Sequence, residues 1–220
     1  MRITWLGHSC VLLEGSRTVL IDPYVPTTQI TCRPDIVAVT HAHADHLGVT
    51  LELSAVTVAM NELSHYLKGK GLSVEPMNIG GTITVQGVTF TMTQALHSSW
   101  IEDAGIGVYG GAAAGYLITM DGICVYHAGD TGLFGDMRLI GEIYNPDVAL
   151  LPIGGRYTMG PREAMIAAEF IGAPVVIPIH YNTTPRIVQD AEAFRSAIER
   201  TTDLKVMVLS PGGSYEPVQT

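Results

Sequence analysis

Residues 39–48 read VTHAHADHLG, which sets His41, His43, Asp45 and His46 within a span of six residues. Four metal-capable side chains this close crowd charge and polarity that prefer water, and each imidazole titrates near neutrality, so the run points to a bound cation. It follows Ile36, Val37, Ala38 and Val39, a run read as a strand over Ile36–Thr40, and so lies at a strand end. In an extended segment alternate residues share a face, which lets His41 and His43 address one ion. Where the chain then turns, Asp45 and His46 can reach a second ion beside it. The bland alternative is a histidine-rich, solvated loop.

The chain before this cluster breaks into short β-like runs, Arg2–Leu6, Cys10–Glu14 and Thr18–Ile21, separated by Gly7-His8 and Gly15-Ser16. That spacing fits antiparallel strands joined by tight turns. After the cluster the sequence predicts a short helix over Leu47–Ser54 and a strand over Val56–Met60. A helix then runs from an Asn61 cap through Lys70 and stops at Gly71. Thr82–Val85 and Val88–Thr93 read as a hairpin around Gln86-Gly87 that leads to His97. Gly115–Met120 and Ile123–Tyr126 form a second, around Asp121-Gly122, that leads to Asp130. The Gly- and Ala-rich segment Glu102–Gly115 reads either as a flap or as a tightly packed loop. The last third alternates: strands at Asp147–Leu151 and Val175–Pro178, helices at Arg162–Ile171 and Val188–Arg200, a final strand at Leu204–Leu209. This order predicts an α/β protein of two packed sheets with helices outside.

The chain has 220 residues, 47% hydrophobic and 15% charged, which suits one globular domain over residues 1–220. A formal charge of −9 weighs against a nucleic-acid partner, whose phosphates call for Lys and Arg. Anionic small molecules stay open, because divalent cations would add positive charge locally. Cys10, Cys32 and Cys124 are odd in number and lack CxxC spacing, as expected of reduced thiols. Met1-Arg2 leads straight into ITWLG, with no secretory signal, and the uncharged stretch Ala104–Met120 is broken by glycines and short of a membrane span. The expectation is a soluble, cytoplasmic protein with no membrane partner. Its tendency to form a homo-oligomer is left open.

Three more polar residues share the cluster's context. His97, Asp130 (in HAGDTG) and His180 each follow a predicted strand, and strand ends of a sheet lie side by side, so all three can converge on one rim. Singly, each would read as a surface histidine or a turn aspartate. In the order HxHxDH, His, Asp in a GDT context, His, the chain resembles the metallo-β-lactamase superfamily of metallohydrolases. WLGHS near the start, the GGRYTMGP run at Gly154–Pro161 and the modest length look most like its lactonase-like, UPF0173-type branch of metal-dependent hydrolases.

The resemblance implies a four-layer αββα sandwich of two mixed sheets with outer helices. It implies that His41, His43 and His97 hold one divalent ion and Asp45, His46 and His180 a second, with Asp130 bridging. Nitrogen and oxygen ligands without thiolate suit Zn²⁺ first, while Mn²⁺ or Fe takes the same ligand types. Oxygen-reducing di-iron relatives carry a carboxylate where this chain has His43, which favours hydrolysis. The implied nucleophile is a hydroxide bridging the ions, acting on a small ester, lactone or phosphoester, with Asp45 orienting it or carrying its proton. His8 and Arg156 are the other catalytic candidates. His8 would touch substrate or support the metals, against a plain turn histidine; Arg156 would recognise a substrate anion, against a solvated loop arginine. Asp22 reads as a partner of a ligand imidazole or a turn residue, and His127 as structural. Tyr157 shares the Arg156 loop, Tyr181 and Asn182 are candidate donors to an oxyanion, and His65 reads as a surface residue. An RNA-processing nuclease of the same superfamily and a metal-stabilised, non-catalytic binding protein remain as alternatives.

Overall fold

A computed structural model describes residues 1–25, 30 and 32–217. The first sheet opens with β1 (Arg2–Gly7), β2 (Cys10–Glu14) and β3 (Thr18–Ile21), antiparallel as their turn spacing requires. It continues in parallel through β4 (Ile36–Val39), β5 (Val56–Met60) and β6 (Val74–Met77). The second begins with β7 (Thr82–Val85) and β8 (Val88–Gln94). A separate two-stranded ribbon, β9 (Trp100–Asp103) and β10 (Ile106–Tyr109), intervenes before β11 (Ala114–Met120) and β12 (Ile123–His127). β7, β8, β11 and β12 are antiparallel; β13 (Val148–Pro152), β14 (Val175–Ile179) and β15 (Lys205–Val206) extend the sheet in parallel. β16 (Gly213–Tyr215) returns to pair with β1 at the edge of the first sheet.

The apolar runs of the parallel strands explain the layering. IVAV in β4 and VALLP in β13 are buried throughout, as strands covered on both faces must be. One face meets the other sheet and the second is covered by helix: α2 (Asn61–Gly69) packs on β5 and β6, α4 (Pro161–Ile171) on β13, and α5 (Ala191–Thr201) on β15, with α3 (Met137–Tyr144) against α4. Residues of both sheets and all four helices share one apolar cluster. This is the expected sandwich of two mixed sheets with helices outside. Among the described residues no helix is long and apolar enough to cross a membrane.

Both hairpins form where expected, with Asp121-Gly122 and Gln86-Gly87 at positive φ, as a tight turn between twisted strands requires. Several boundaries differ. The helix expected over Leu47–Ser54 is instead α1 (Ala44–Leu47) and a 3₁₀ turn at Thr50–Glu52. Gly48 separates them at φ 45°, where a Cβ would lie 2.1 Å from the Pro23 carbonyl oxygen. Asn61 begins α2 without capping it; Met60 holds the cap position and supplies no side-chain bond. Asp190 caps α5 by accepting from the backbone of Glu192 and Ala193, so that helix starts at Ala191 rather than Val188. The strand expected over Leu204–Leu209 shortens to Lys205–Val206, and Glu102–Gly115 contains much of the β9–β10 ribbon rather than an irregular loop. β6, α3 and β16 were not foreseen.

Tyr116 of β11 sits wholly buried between the sheets, and its hydroxyl donates to the Val39 carbonyl at 3.0 Å and faces that of Val58 at 3.4 Å. It therefore joins the second sheet to the middle of β5 and to the end of β4, just before the histidine run. Tyr116→Phe is expected to lower unfolding free energy by about 1–2 kcal/mol, seen as a lower urea midpoint with an unchanged slope.

Candidate metal centre

The strands deliver the polar residues to one rim. Asp22 directly follows β3, Thr40-His41 follow β4, Asp130 lies three residues beyond β12, and His180 directly follows β14, while His8 lies in the β1–β2 turn. Backbone bonds tie the sheets together here: His180 N–H donates to the His8 carbonyl at 2.8 Å and Ala114 N–H to that of Thr40 at 3.1 Å. α1 turns the chain back on itself so that Asp45 and His46 face the residues of the second sheet. Gly129, at φ 62°, permits the turn into Asp130; a Cβ there would lie 2.5 Å from the Ala114 carbonyl oxygen.

All seven expected ligands gather. His41 Nε2 lies 2.9 Å from His43 Nδ1, and the His97 ring centroid is 5.1 Å from each of theirs. Asp130 sits at the centre, with Oδ1 3.2 Å from His46 Nε2 and Oδ2 3.1 Å from His180 Nε2 and 3.6 Å from His97 Nε2. Ligand-capable atoms fall into three groups, each within 4.8 Å: His41, His43 and His97; His41, His46 and Asp130; and His8, Asp45, His46 and His180.

The donor set and its polar accounting fit a cation. The approaches of Asp130 to His46 and His180 miss the angles of a hydrogen bond. His46 Nε2, Asp130 Oδ1 and both ring nitrogens of His180 are thus buried with no hydrogen-bond partner. Each such atom costs about 1–3 kcal/mol, and three of them, His46 Nε2, Asp130 Oδ1 and His180 Nε2, meet at one spot and mark a place built for something they bind.

A family model described as a beta-lactamase superfamily domain matches residues 2–180. A UPF0173 metal-dependent hydrolase of Methanospirillum hungatei is 66% identical over 216 residues, covering 98% of this chain and 99% of that protein. One of Methanoculleus marisnigri is 65% identical, covering 98% and 96%. Among solved structures, Igni18, a metallo hydrolase from Ignicoccus hospitalis, superposes with a TM-score of 0.89 at 36% identity, over 98% of both chains. The chain belongs to the metallo-β-lactamase superfamily. Within it, this is a metal-dependent hydrolase of the UPF0173 kind.

The other candidates divide. Asp22 is buried beside the centre of this metallo-β-lactamase fold, accepting from Thr40 N–H at 2.8 Å, Thr40 Oγ–H at 2.7 Å and His46 Nδ1–H at 2.7 Å. It thus fixes the His46 ring with Nε2 turned toward Asp130. His8 bonds Asp45 Oδ2 through Nε2 at 3.1 Å and Thr183 Oγ through Nδ1 at 2.7 Å. His127 is buried and structural: its Nδ1 accepts from Gly129 N–H and its Nε2–H donates to the Ser9 carbonyl. Arg156 is exposed beside the Tyr157 ring, 5.6 Å from its centroid, and among the described residues makes no hydrogen bond or ion pair with the seven. Tyr181 stacks on Trp5, Asn182 pairs with Gln189, and His65 is exposed. Sequence reasoning missed Thr40, Ser99 (whose hydroxyl accepts from Ala42 N–H at 3.1 Å) and Thr183. Thr40 adjoins the histidine run and was open to notice, whereas nothing local marks Thr183.

Charge follows the same geometry. Burial pushes His41, His43, His97 and His127 below the ordinary imidazole value, and His8 likewise, against its bond to Asp45. Burial also opposes charge on His46, but the Asp130 and Asp22 carboxylates outweigh it and hold that ring well above 6.5. Burial works against the Asp45 carboxylate too, yet the His8 bond and the charge of His46 bring it down to about 2. Metal-stripped protein should therefore lose stability as pH falls through about 6.5, because the unfolded chain takes up protons that the buried rings refuse. His46 acts in the opposite sense, its contribution being full below 6.5 and fading as pH rises through its higher folded value, but five lowered rings oppose it. Urea midpoints in chelator between about pH 5 and pH 8 measure this; a midpoint that rises toward the acid end contradicts it.

Proposed function

We propose that the protein is a dinuclear hydrolase of small esters, lactones or phosphoesters. The observation that carries this reading is the overlap of the three donor groups: His41 and His46 each belong to two of them, so the seven side chains make one continuous centre large enough for a pair of ions. His41, His43 and His97 would hold one cation and Asp45, His46 and His180 the other, with Asp130 between them. Zn²⁺ suits these nitrogen and oxygen donors first, and Mn²⁺ or Fe would fit the same types. Bound there, two dications supply an acidified water and a Lewis-acid contact for the substrate oxygen.

The chain's own groups do the rest. Asp45 stands at the open side of the centre with its side chain 40% exposed; Oδ1 would go to the second cation, and the lone pair of Oδ2 that His8 leaves free would orient the activated water or take up its proton for a leaving group. Arg156, exposed beside Tyr157, is the proposed contact for a substrate anion. The charge of −9 supports a small molecule over nucleic acid as substrate. Three cysteines without disulfide partners support a cytoplasmic setting.

Elemental analysis and a substrate panel test the reading. Two equivalents of metal per chain are expected, together with turnover of a lactone, ester or phosphoester that chelator abolishes and added Zn²⁺ or Mn²⁺ restores. His41→Ala and Asp45→Ala should each lower kcat/KM by at least about 100-fold. Metal-dependent RNA cleavage with a steep salt slope would point to the nuclease instead. Tight metal binding with no turnover across the panel would point to a binding protein.

A further inference from the structure

Proximity alone places His8 with Asp45, His46 and His180 as a fourth donor to the second cation. Its hydrogen bonds separate it from them. His180 has two buried ring nitrogens without a partner and His46 has one, whereas both ring nitrogens of His8 are engaged, at 2.7 Å by Thr183 and at 3.1 Å by Asp45. The ring is nearly inaccessible and its backbone is held in the left-handed region, at φ 53°. The His8 carbonyl oxygen accepts at 2.8 Å from both the Trp5 indole N–H and the His180 backbone N–H.

Donor chemistry then fixes the tautomer. An ionised carboxylate only accepts, so the proton facing Asp45 must sit on His8 Nε2. In the neutral ring Nδ1 must then accept, which makes the Thr183 hydroxyl the donor. We propose that His8 is a positioning residue, locked in one tautomer by Thr183, which occupies Asp45 Oδ2 so that only Oδ1 is presented to the second cation. This inference rests on the proposed dinuclear centre. It adds that a side chain from the β1–β2 turn and another from the loop after β14 jointly orient a ligand carried on α1. The backbone bond from His180 to the His8 carbonyl does not depend on the His8 ring, so side-chain replacement tests the ring alone.

The test compares full-length wild type with His8→Ala, His8→Gln and Thr183→Val, reading Zn²⁺ retention against a competing chelator and the Co²⁺ absorption spectrum. Ring-nitrogen NMR of the wild-type Zn²⁺ form complements them. His8→Ala should weaken binding of the second equivalent by about 10–100-fold and alter the Co²⁺ spectrum. Thr183→Val should shift both in the same direction by less. His8→Gln should recover most of the loss, because its amide N–H can donate to Asp45 while its oxygen accepts from Thr183. The NMR spectrum should show His8 Nε2 carrying a proton and Nδ1 bare. A proton-free, metal-shifted Nε2 would make His8 a ligand and overturn the proposal, as would variants that bind like the wild type; both leave the dinuclear centre standing. Wild type that takes up no cation overturns both. If His8→Ala does not fold, Thr183→Val and the wild-type NMR spectrum decide the matter.

Discussion

Two carboxylates, Asp22 and Asp130, lie buried on either side of the His46 ring, and the organisation of the centre depends on how differently they are satisfied. Asp22 receives three hydrogen bonds, two from Thr40 and one from His46, and is complete within the protein. Asp130 is approached by His46, His97 and His180 at 3.1–3.6 Å, but its Oδ1 accepts no hydrogen bond. A buried carboxylate left in that condition is strongly unfavourable, and a cation is the chemical partner that corrects it. Asp22, needing nothing further itself, aims His46 at the incomplete carboxylate. Thr40, directly after β4, donates to Asp22 and lies against the Nδ1 atoms of His41 and His46, which joins Asp22 to the start of the histidine run.

Backbone strain gathers at the same place. His8, Asp22, His180 and Asn182 all hold positive φ without being glycine. Such residues cost about 1–3 kcal/mol each and persist only where their surroundings over-determine them. Here each follows directly on a strand end or lies in the adjoining loop, so the ordered sheets fix the loops in place. The Tyr116 hydroxyl, held between the sheets beneath this rim, belongs to the same support. Cation binding would return part of the free energy invested in that geometry, by tying side chains from both sheets to common points.

The centre was more legible in the sequence than the frame around it. HxHxDH is local, and its meaning survives errors in the neighbouring elements: a helix misplaced over Leu47–Ser54 did not alter where Asp45 and His46 lie. Strand ends were equally readable, since Gly and Asp turns mark them, which is why His97, Asp130 and His180 could be placed on one rim. Gly48 and Asp190 moved helix boundaries through contacts with Pro23 and with the α5 backbone, and only the first of these is a long-range effect. β6 carries a proline, β9–β10 is largely exposed and β16 has three residues, so none shows the apolar alternation that announces a strand. Thr183 acts 175 residues from its partner His8, a pairing that no periodicity encodes.

Exposure grades the ligands in a way that bears on access. His46 and His180 are buried and Asp130 is 3% exposed, whereas His97 is 13% and Asp45 40% exposed, with His43 between buried and free. Under the proposed reading, an arriving molecule therefore meets Asp45, His43 and His97 first, and the buried His41, His46, Asp130 and His180 form the floor. The β9–β10 ribbon stands next to that opening: Ser99, which leads into it, holds Ala42 between two of the histidines, and Ser98 lies 3.5 Å from His43 Nε2. Its outer face carries Trp100, laid over Gly107, and Tyr109, both exposed. A Cβ at residue 107 would lie 1.9 Å from the Trp100 ring, so that glycine is what lets the indole lie flat across the ribbon. Under the same reading, selectivity for substrate would fall to this ribbon, whose exposed residues can change without disturbing the buried side of the centre.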